Sequence, residues 1–97
     1  MKRTRAVPIG NIVRRYLREQ GLESPLNEYR LMHEAWTSVL GQGVAAYTSQ
    51  LTIRNQTLYV HVASPALRQN LQMTRQRLVQ RLNEVVGAQV IVDIVFR

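Results

Sequence analysis

Hydrophobic side chains recur at helical spacing in three separate stretches of this sequence. In the first stretch, residues 9–20, they repeat every three or four positions: Ile9, Ile12, Val13, Tyr16 and Leu17. Arg14, Arg15 and Arg18 occupy the opposite side, so the pattern predicts an amphipathic helix. Gly21 follows it, and glycine readily adopts the left-handed conformation that closes a helix.

The second helical stretch begins with Ser24 as the predicted N-cap and Pro25 at the first helical position. Its apolar positions are Leu26, Tyr29, Met32, Trp36, Val39 and Leu40. Gly41 is predicted to end this helix, and a short helical turn around Ala45 follows. Trp36 is interpreted as a core anchor between the helix and the sheet, with a stacking or partner-binding role as the alternative.

Two runs that alternate between apolar and polar residues predict a hairpin. Leu51 and Ile53 share one face of the first strand, and the chain turns at residues 55–56. The inward positions of the second strand are Leu58, Val60 and Val62. Successive strand residues point to opposite faces of a sheet, so Tyr59 and His61 are predicted to lie on the other face.

The third helical stretch starts at Ser64 and Pro65, another capping pair, and is predicted to run unbroken to Gly87. Its predicted buried stripe consists of Leu67, Leu71, Thr74, Leu78, Leu82 and Val85. Arg77 and Arg81 lie nearly opposite this stripe and are predicted to face solvent.

A final strand is predicted over residues 90–96, and both of its sides are rich in apolar residues. Ile91 and Val95 point to the side opposite Val92 and Ile94, so they are expected to join Tyr59 and His61 on the outer face of the sheet. These four residues, Tyr59, His61, Ile91 and Val95, are the predicted partner-binding set. A helix that covers this face is the simpler explanation, and docking of a partner segment or a second copy is the functional one.

The order of elements predicts an α+β fold. It consists of an α-β-β-α-β unit with an additional N-terminal amphipathic helix, and the helices pack on a three-stranded sheet. A basic flexible arm, residues 1–8, is predicted to precede a single domain, residues 9–97, because 97 residues suffice for one modest core.

Positive charge is concentrated near the start of the chain. Thirteen basic residues outnumber six acidic ones, which gives a net charge of +7. Lysine and arginine bind phosphates by displacing condensed counterions, so the functional interpretation of this charge is nucleic-acid binding, and a solvated helix face with an irregular terminus is the alternative. The predicted nucleic-acid-binding residues are Lys2, Arg3, Arg5, Arg14, Arg15, Arg18, Arg77 and Arg81.

The sequence does not predict an enzyme. It contains no cysteine, and His33 and His61 fall in different elements, so no nucleophile–base set or three-ligand metal site can be recognised. His33 and Glu34 resemble half of a zinc-protease helix, but Thr37 replaces the second histidine. We expect no cofactor or metal. No apolar run approaches the roughly 20 residues of a membrane span, so we expect a soluble, cytoplasmic protein.

Several of these positions together resemble the DciA-like family. The matching residues are Trp36, Gly41, Ala45, Ala46, the alternating run Leu58-x-Val60-x-Val62-x-Ser64, Leu71, Leu82, Asn83 and Gly87. The resemblance implies a KH-like domain that helps to place the DnaB-type replicative helicase on DNA, the basic surface meeting nucleic acid and the folded domain meeting the helicase. The chain departs from the family at Gln56, where glycine is usual, and at Leu67, where an aromatic residue is common.

Alternatives to this function remain open at the level of sequence. One alternative is a module for protein interaction or self-association, for example in a homodimer, whose basic charge is incidental. Another is an RNA- or ribosome-associated KH-like protein. Gly41 and Gly43 lack the Gly-x-x-Gly spacing with which a true KH domain clamps a nucleotide backbone. Salt dependence separates the classes, because phosphate binding weakens steeply with salt whereas an apolar interface persists.

Overall fold

The structure, a computed structural model, describes residues 23–97 and has the predicted α+β architecture. The predicted helix of residues 9–20 and the predicted arm of residues 1–8 lie outside the described residues. The described elements, in chain order, are α1 (Glu23–Arg30), a π-helical segment (Leu31–Ala35), α2 (Trp36–Leu40), α3 (Gln42–Ala45), β1 (Thr48–Arg54), β2 (Thr57–Val62), α4 (Pro65–Met73), α5 (Arg75–Val86) and β3 (Asp93–Phe96).

The three strands form one sheet in the order β1-β2-β3. The predicted hairpin pairs β1 with β2 in antiparallel register, and β3 returns to pair with β2 in parallel. Asn55 and Gln56 both have positive φ at the tip of the hairpin, as a tight turn of this kind requires. The strand β2 is therefore central, and β3 lies at an edge of the sheet.

The hydrophobic core lies between the helices and one face of the sheet. Leu58, Val60 and Val62 of β2 are all fully buried there, as the alternation predicted. From the helical layer the core receives Leu31, Ala35, Trp36, Leu71, Leu78, Val79, Leu82 and Val86. Trp36 is only 2% exposed, which confirms its predicted place in the core. Its Nε1–H donates a hydrogen bond of 2.9 Å to Thr48 Oγ1, which ties α2 to β1.

Two of the predicted helix ends are confirmed by their backbone geometry. The Ser64 hydroxyl accepts a hydrogen bond from the Leu67 amide at 3.2 Å, with Pro65 at the first position of α4. Gly87 adopts the left-handed conformation at the end of α5. The prediction that Ser24 caps the second helix is wrong, because the chain is already helical at Glu23.

That second helix also differs from the predicted stripe. The π-helical segment widens one turn, and the Trp36 amide donates to the Leu31 carbonyl five residues earlier. Leu31 and Ala35 are buried, whereas Leu26 and Tyr29, both predicted on the apolar side, are 40% and 55% exposed. The wider turn changes which side chains reach the core.

The predicted third helix is broken at Thr74 into α4 and α5. The Thr74 hydroxyl donates to the Leu71 carbonyl at 3.3 Å, and the Thr74 amide bonds the same carbonyl at 3.1 Å. These contacts replace a regular α-helical turn, as threonine side chains do when they bond nearby carbonyls. Thr74 and Val85 are consequently exposed, and Val79 and Val86 are buried in place of the predicted Val85.

The final strand is shorter than predicted because Asn83 holds the segment before it in a loop. The Asn83 amide nitrogen donates to the Ile91 carbonyl at 2.8 Å. Its carbonyl oxygen accepts from the amides of Val90 at 2.9 Å and Ile91 at 3.1 Å. Three backbone groups that a strand would pair with another strand are thus satisfied by one side chain, and β3 begins only at Asp93.

Replacement of Asn83 by alanine should therefore destabilise the fold by about 2–3 kcal/mol, because three partly buried backbone groups lose their partner. Urea unfolding would measure the change. As a control, Gln80→Ala removes an exposed amide one turn earlier on α5 and should cost no more than about 0.5 kcal/mol. Equal stability of the two variants would contradict this role of Asn83.

Candidate functional site

The outer face of the sheet, the side away from the helices, brings together most of the predicted partner-binding residues. Tyr59 is half-buried in the centre of β2, and its neighbours in register are Thr52 on β1 and Val95 on β3. His61 lies two residues after Tyr59 on β2, beyond the inward-facing Val60, and its side chain is exposed. Val95 is 37% exposed. Tyr59, His61 and Val95 therefore share one surface.

Ile91 does not belong to this surface, and its predicted position there is wrong. Its side chain is fully buried in the core, while the neighbouring Val92 is 46% exposed. The prediction assumed a regular strand from residue 90 onward. Because Asn83 binds the backbone of Val90 and Ile91, strand alternation does not apply before Asp93.

Within residues 23–97 no helix covers the outer face. The helices α4 and α5 contact β2 and β3 from the inner side, where they meet the buried residues Leu58, Val60 and Ile94. The simpler explanation for this face, coverage by a helix, does not hold for the part of the chain that the structure describes.

Two arginines that the sequence analysis did not select lie over the ring of Tyr59. The guanidinium carbon of Arg54, at the end of β1, is 4.9 Å from the ring centroid, and that of Arg97, which follows β3, is 5.0 Å away. At these distances the cations are attracted to the π face of the ring. We call Arg54, Tyr59 and Arg97 the Tyr59 cluster. Its members come from three different strand regions, so only the sheet order and register reveal it.

Three other arginines are used for contacts within the fold. Arg30 donates a hydrogen bond to the Val86 carbonyl at 3.3 Å, and its Nε lies 3.7 Å from Glu34 Oε1. Arg68 donates to the Val62 carbonyl at 3.1 Å. Arg75 forms an ion pair with Asp93, with Nε 3.1 Å from Oδ1, although the pair is not aligned as a hydrogen bond. The guanidinium groups of these three arginines therefore stabilise contacts within the fold.

The structure places Arg77 and Arg81 on the exposed side of α5, as predicted. They lie one turn apart on the helical layer, so the sheet separates them from the Tyr59 cluster. Arg81 forms no ion pair with Glu84, three positions later on the same helix. The remaining predicted nucleic-acid-binding residues lie outside the described residues: Lys2, Arg3, Arg5, Arg14, Arg15 and Arg18.

Residues 23–97 contain no group of three histidine or acidic side chains placed to hold a metal ion. Within that range, no helix has the length and apolar character needed to cross a membrane.

Comparison with known proteins gives one match. A family model described as "Dna[CI] antecedent, DciA" matches residues 8–96, which is nearly the whole chain. No curated protein and no solved structure matches. The predicted KH-like character of the fold therefore stays a prediction, while the α+β architecture is observed.

Proposed function

This chain belongs to the DciA family, and from that premise we propose that it helps to recruit or load a DnaB-type replicative helicase on DNA. The family is associated with loading of that helicase and is not known as a family of enzymes. The observation that carries the proposal is the extent of the match, because residues 8–96 include every helix and strand of the described fold.

Nucleic-acid binding is the second part of the proposal. It is supported by the net charge of +7 and by exposed arginines, Arg77 and Arg81, that form no ion pair within residues 23–97. Exposed guanidinium groups are suited to phosphate contacts, which supply affinity without sequence preference. We assign Arg77 and Arg81 to this role together with the six basic residues of the N-terminal segment.

The folded domain is proposed to contact the helicase while these cations hold DNA. In this arrangement the protein needs no active site of its own, because helicase placement depends on binding two partners at once. A tethered second partner is bound at high effective concentration, so moderate affinities for DNA and for the helicase suffice.

A capture experiment tests recruitment. The tagged chain is incubated with bacterial lysate, with and without nuclease, and the retained fraction is probed for the replicative helicase. We expect the helicase to be retained in both samples. Retention only in the untreated sample would mean that nucleic acid bridges the two proteins, which would contradict direct recruitment.

A further inference from the structure

We propose that the outer face of the sheet is a binding platform for single-stranded nucleic acid, on which an unpaired base stacks at the Tyr59 cluster. The inference deepens the proposed function and rests on it for the presence of DNA. It assigns to Tyr59 and His61 a different ligand from the protein partner predicted by the sequence.

The first support is the geometry of the cluster. Tyr59 occupies the central strand, and the guanidinium groups of Arg54 and Arg97 approach its ring from the two flanking strand positions at 4.9 and 5.0 Å. Aromatic rings and guanidinium planes are the two kinds of protein surface on which unpaired bases stack. A base can therefore stack on the guanidinium plane of Arg54 or Arg97, or displace one of them and stack on the phenol ring.

The second support is the charge of the face. Within residues 23–97, Arg54 and Arg97 form no salt bridge, so both cations are available to phosphates. The one acid on the outer side of β3 is Asp93, and it is already engaged by Arg75 at 3.1 Å. The surface around Tyr59 thus combines an aromatic ring with two guanidinium groups that form no ion pair within the described residues, which complements a polyanion better than it complements a second copy of this basic chain.

The third support concerns accessibility. His61 is exposed beside the cluster on the same strand, and Val95 is 37% exposed next to Tyr59 in register. Together they leave an open strip along β2, and His61 supplies a hydrogen-bonding group for a base edge or a phosphate. A duplex cannot use the ring in this way, because its base faces are already stacked inside the helix.

The test is a comparison of single-stranded and duplex affinities by fluorescence anisotropy with the full chain. The probes are a labelled oligothymidine of about 12 nucleotides, within the range of roughly 4–16 nucleotides that single-strand-binding OB-folds cover, and a duplex of the same length. Tyr59→Ala should weaken single-strand binding about tenfold, since one base loses its stacking partner, and leave duplex binding within about twofold. Tyr59→Phe keeps the ring and should bind as the unmodified chain does.

Matched controls separate the cluster from general surface effects. Tyr47→Ala removes another tyrosine, 58% exposed and outside the sheet, and should leave both affinities unchanged. If Tyr59→Ala fails to fold by circular dichroism, Arg54→Gln combined with Arg97→Gln tests the same face, and it should weaken single-strand binding more than duplex binding. Val95→Glu, which places a carboxylate beside Tyr59, should also weaken single-strand binding.

Several outcomes would overturn the proposal. Equal loss of single-strand and duplex affinity in a folded Tyr59→Ala variant would show that the ring is not a stacking site. Unchanged DNA binding with loss of helicase capture would identify the face as a protein-docking surface, and loss of self-association in sedimentation would identify it as a dimer contact. Helicase capture by unmodified chain is measured in parallel, so failure of the platform is distinguished from failure of the proposed function.

Discussion

Replacement of Trp36 by alanine is expected to lower the free energy of unfolding by about 3–5 kcal/mol. The indole is 2% exposed and packs among Leu31, Ala35 and the sheet residues of the core, so its removal leaves a large cavity. The same change removes the hydrogen bond to Thr48 Oγ1. A domain of this size has only about 5–15 kcal/mol of stability, so the variant should melt at a much lower temperature than the unmodified chain.

Thermal and urea unfolding followed by circular dichroism measure this effect. Trp36→Phe keeps most of the ring volume but cannot donate to Thr48, so its cost should be smaller, about 1–2 kcal/mol. Tyr29→Ala is the exposed aromatic control, since Tyr29 is 55% exposed, and it should cost less than about 1 kcal/mol. A fully stable Trp36→Ala variant that had lost only partner binding would show that Trp36 is a contact residue and not a core anchor.

The second large effect is expected from the N-terminal arginines. Reversal of Arg14, Arg15 and Arg18 to glutamate leaves ten basic and nine acidic residues, so the net charge falls from +7 to +1. If all three contact phosphates, the slope of log affinity against log salt should decrease in magnitude by about three. DNA affinity at low salt should fall by roughly tenfold to a thousandfold.

A charge control distinguishes local contacts from the overall field. Ser38→Glu, Gln42→Glu and Gln69→Glu add three negative charges at exposed positions of α2, α3 and α4, away from Arg77 and Arg81 in sequence, without removing an arginine. This triple variant should change the salt slope by less than one, and both triple variants should melt near the unmodified chain because surface changes cost little. DNA affinity that is unchanged by the arginine reversal would remove the N-terminal segment from the proposed interface.

Local sequence chemistry was sufficient to predict the parts of the fold that depend on neighbouring residues. Ser64 and Pro65 begin α4 because a hydroxyl and a fixed φ suit the start of a helix, and Gly87 ends α5 because glycine tolerates positive φ. The alternation around Val60 predicted the buried face of β2 because that strand is regular along its whole length.

The features that were missed depend on contacts between distant residues. No sequence signal marks Thr74 as a helix break, because threonine is tolerated within helices and its bond to the Leu71 carbonyl appears only in the fold. The burial of Ile91 follows from Asn83, eight residues earlier, whose amide replaces strand pairing. The sequence therefore predicted the order of the main helices and strands, but not the break between α4 and α5 or the residue at which the last strand begins.

The candidate site shows the same division. Tyr59, His61 and Val95 were assigned to the outer face by alternation alone, and the structure places them there. Arg54 was not assigned, although the predicted hairpin places it diagonally across from Tyr59 on the same face. Arg97 was not assigned because its approach to Tyr59 requires that β3 pair in parallel with β2. That pairing joins two strands separated by both α4 and α5, and no local pattern determines it.

Direct binding between the purified chain and a purified DnaB-type helicase, both treated with nuclease, is the most direct test of the central claim. Immobilised chain is titrated with helicase at physiological salt, and Tyr47→Ala and Tyr59→Ala variants are run beside it. The account predicts saturable binding that persists after nuclease treatment and does not require DNA. Absence of binding at helicase concentrations of about 100 μM, well above a Kd of about 1 μM for an interface of moderate affinity, would contradict it.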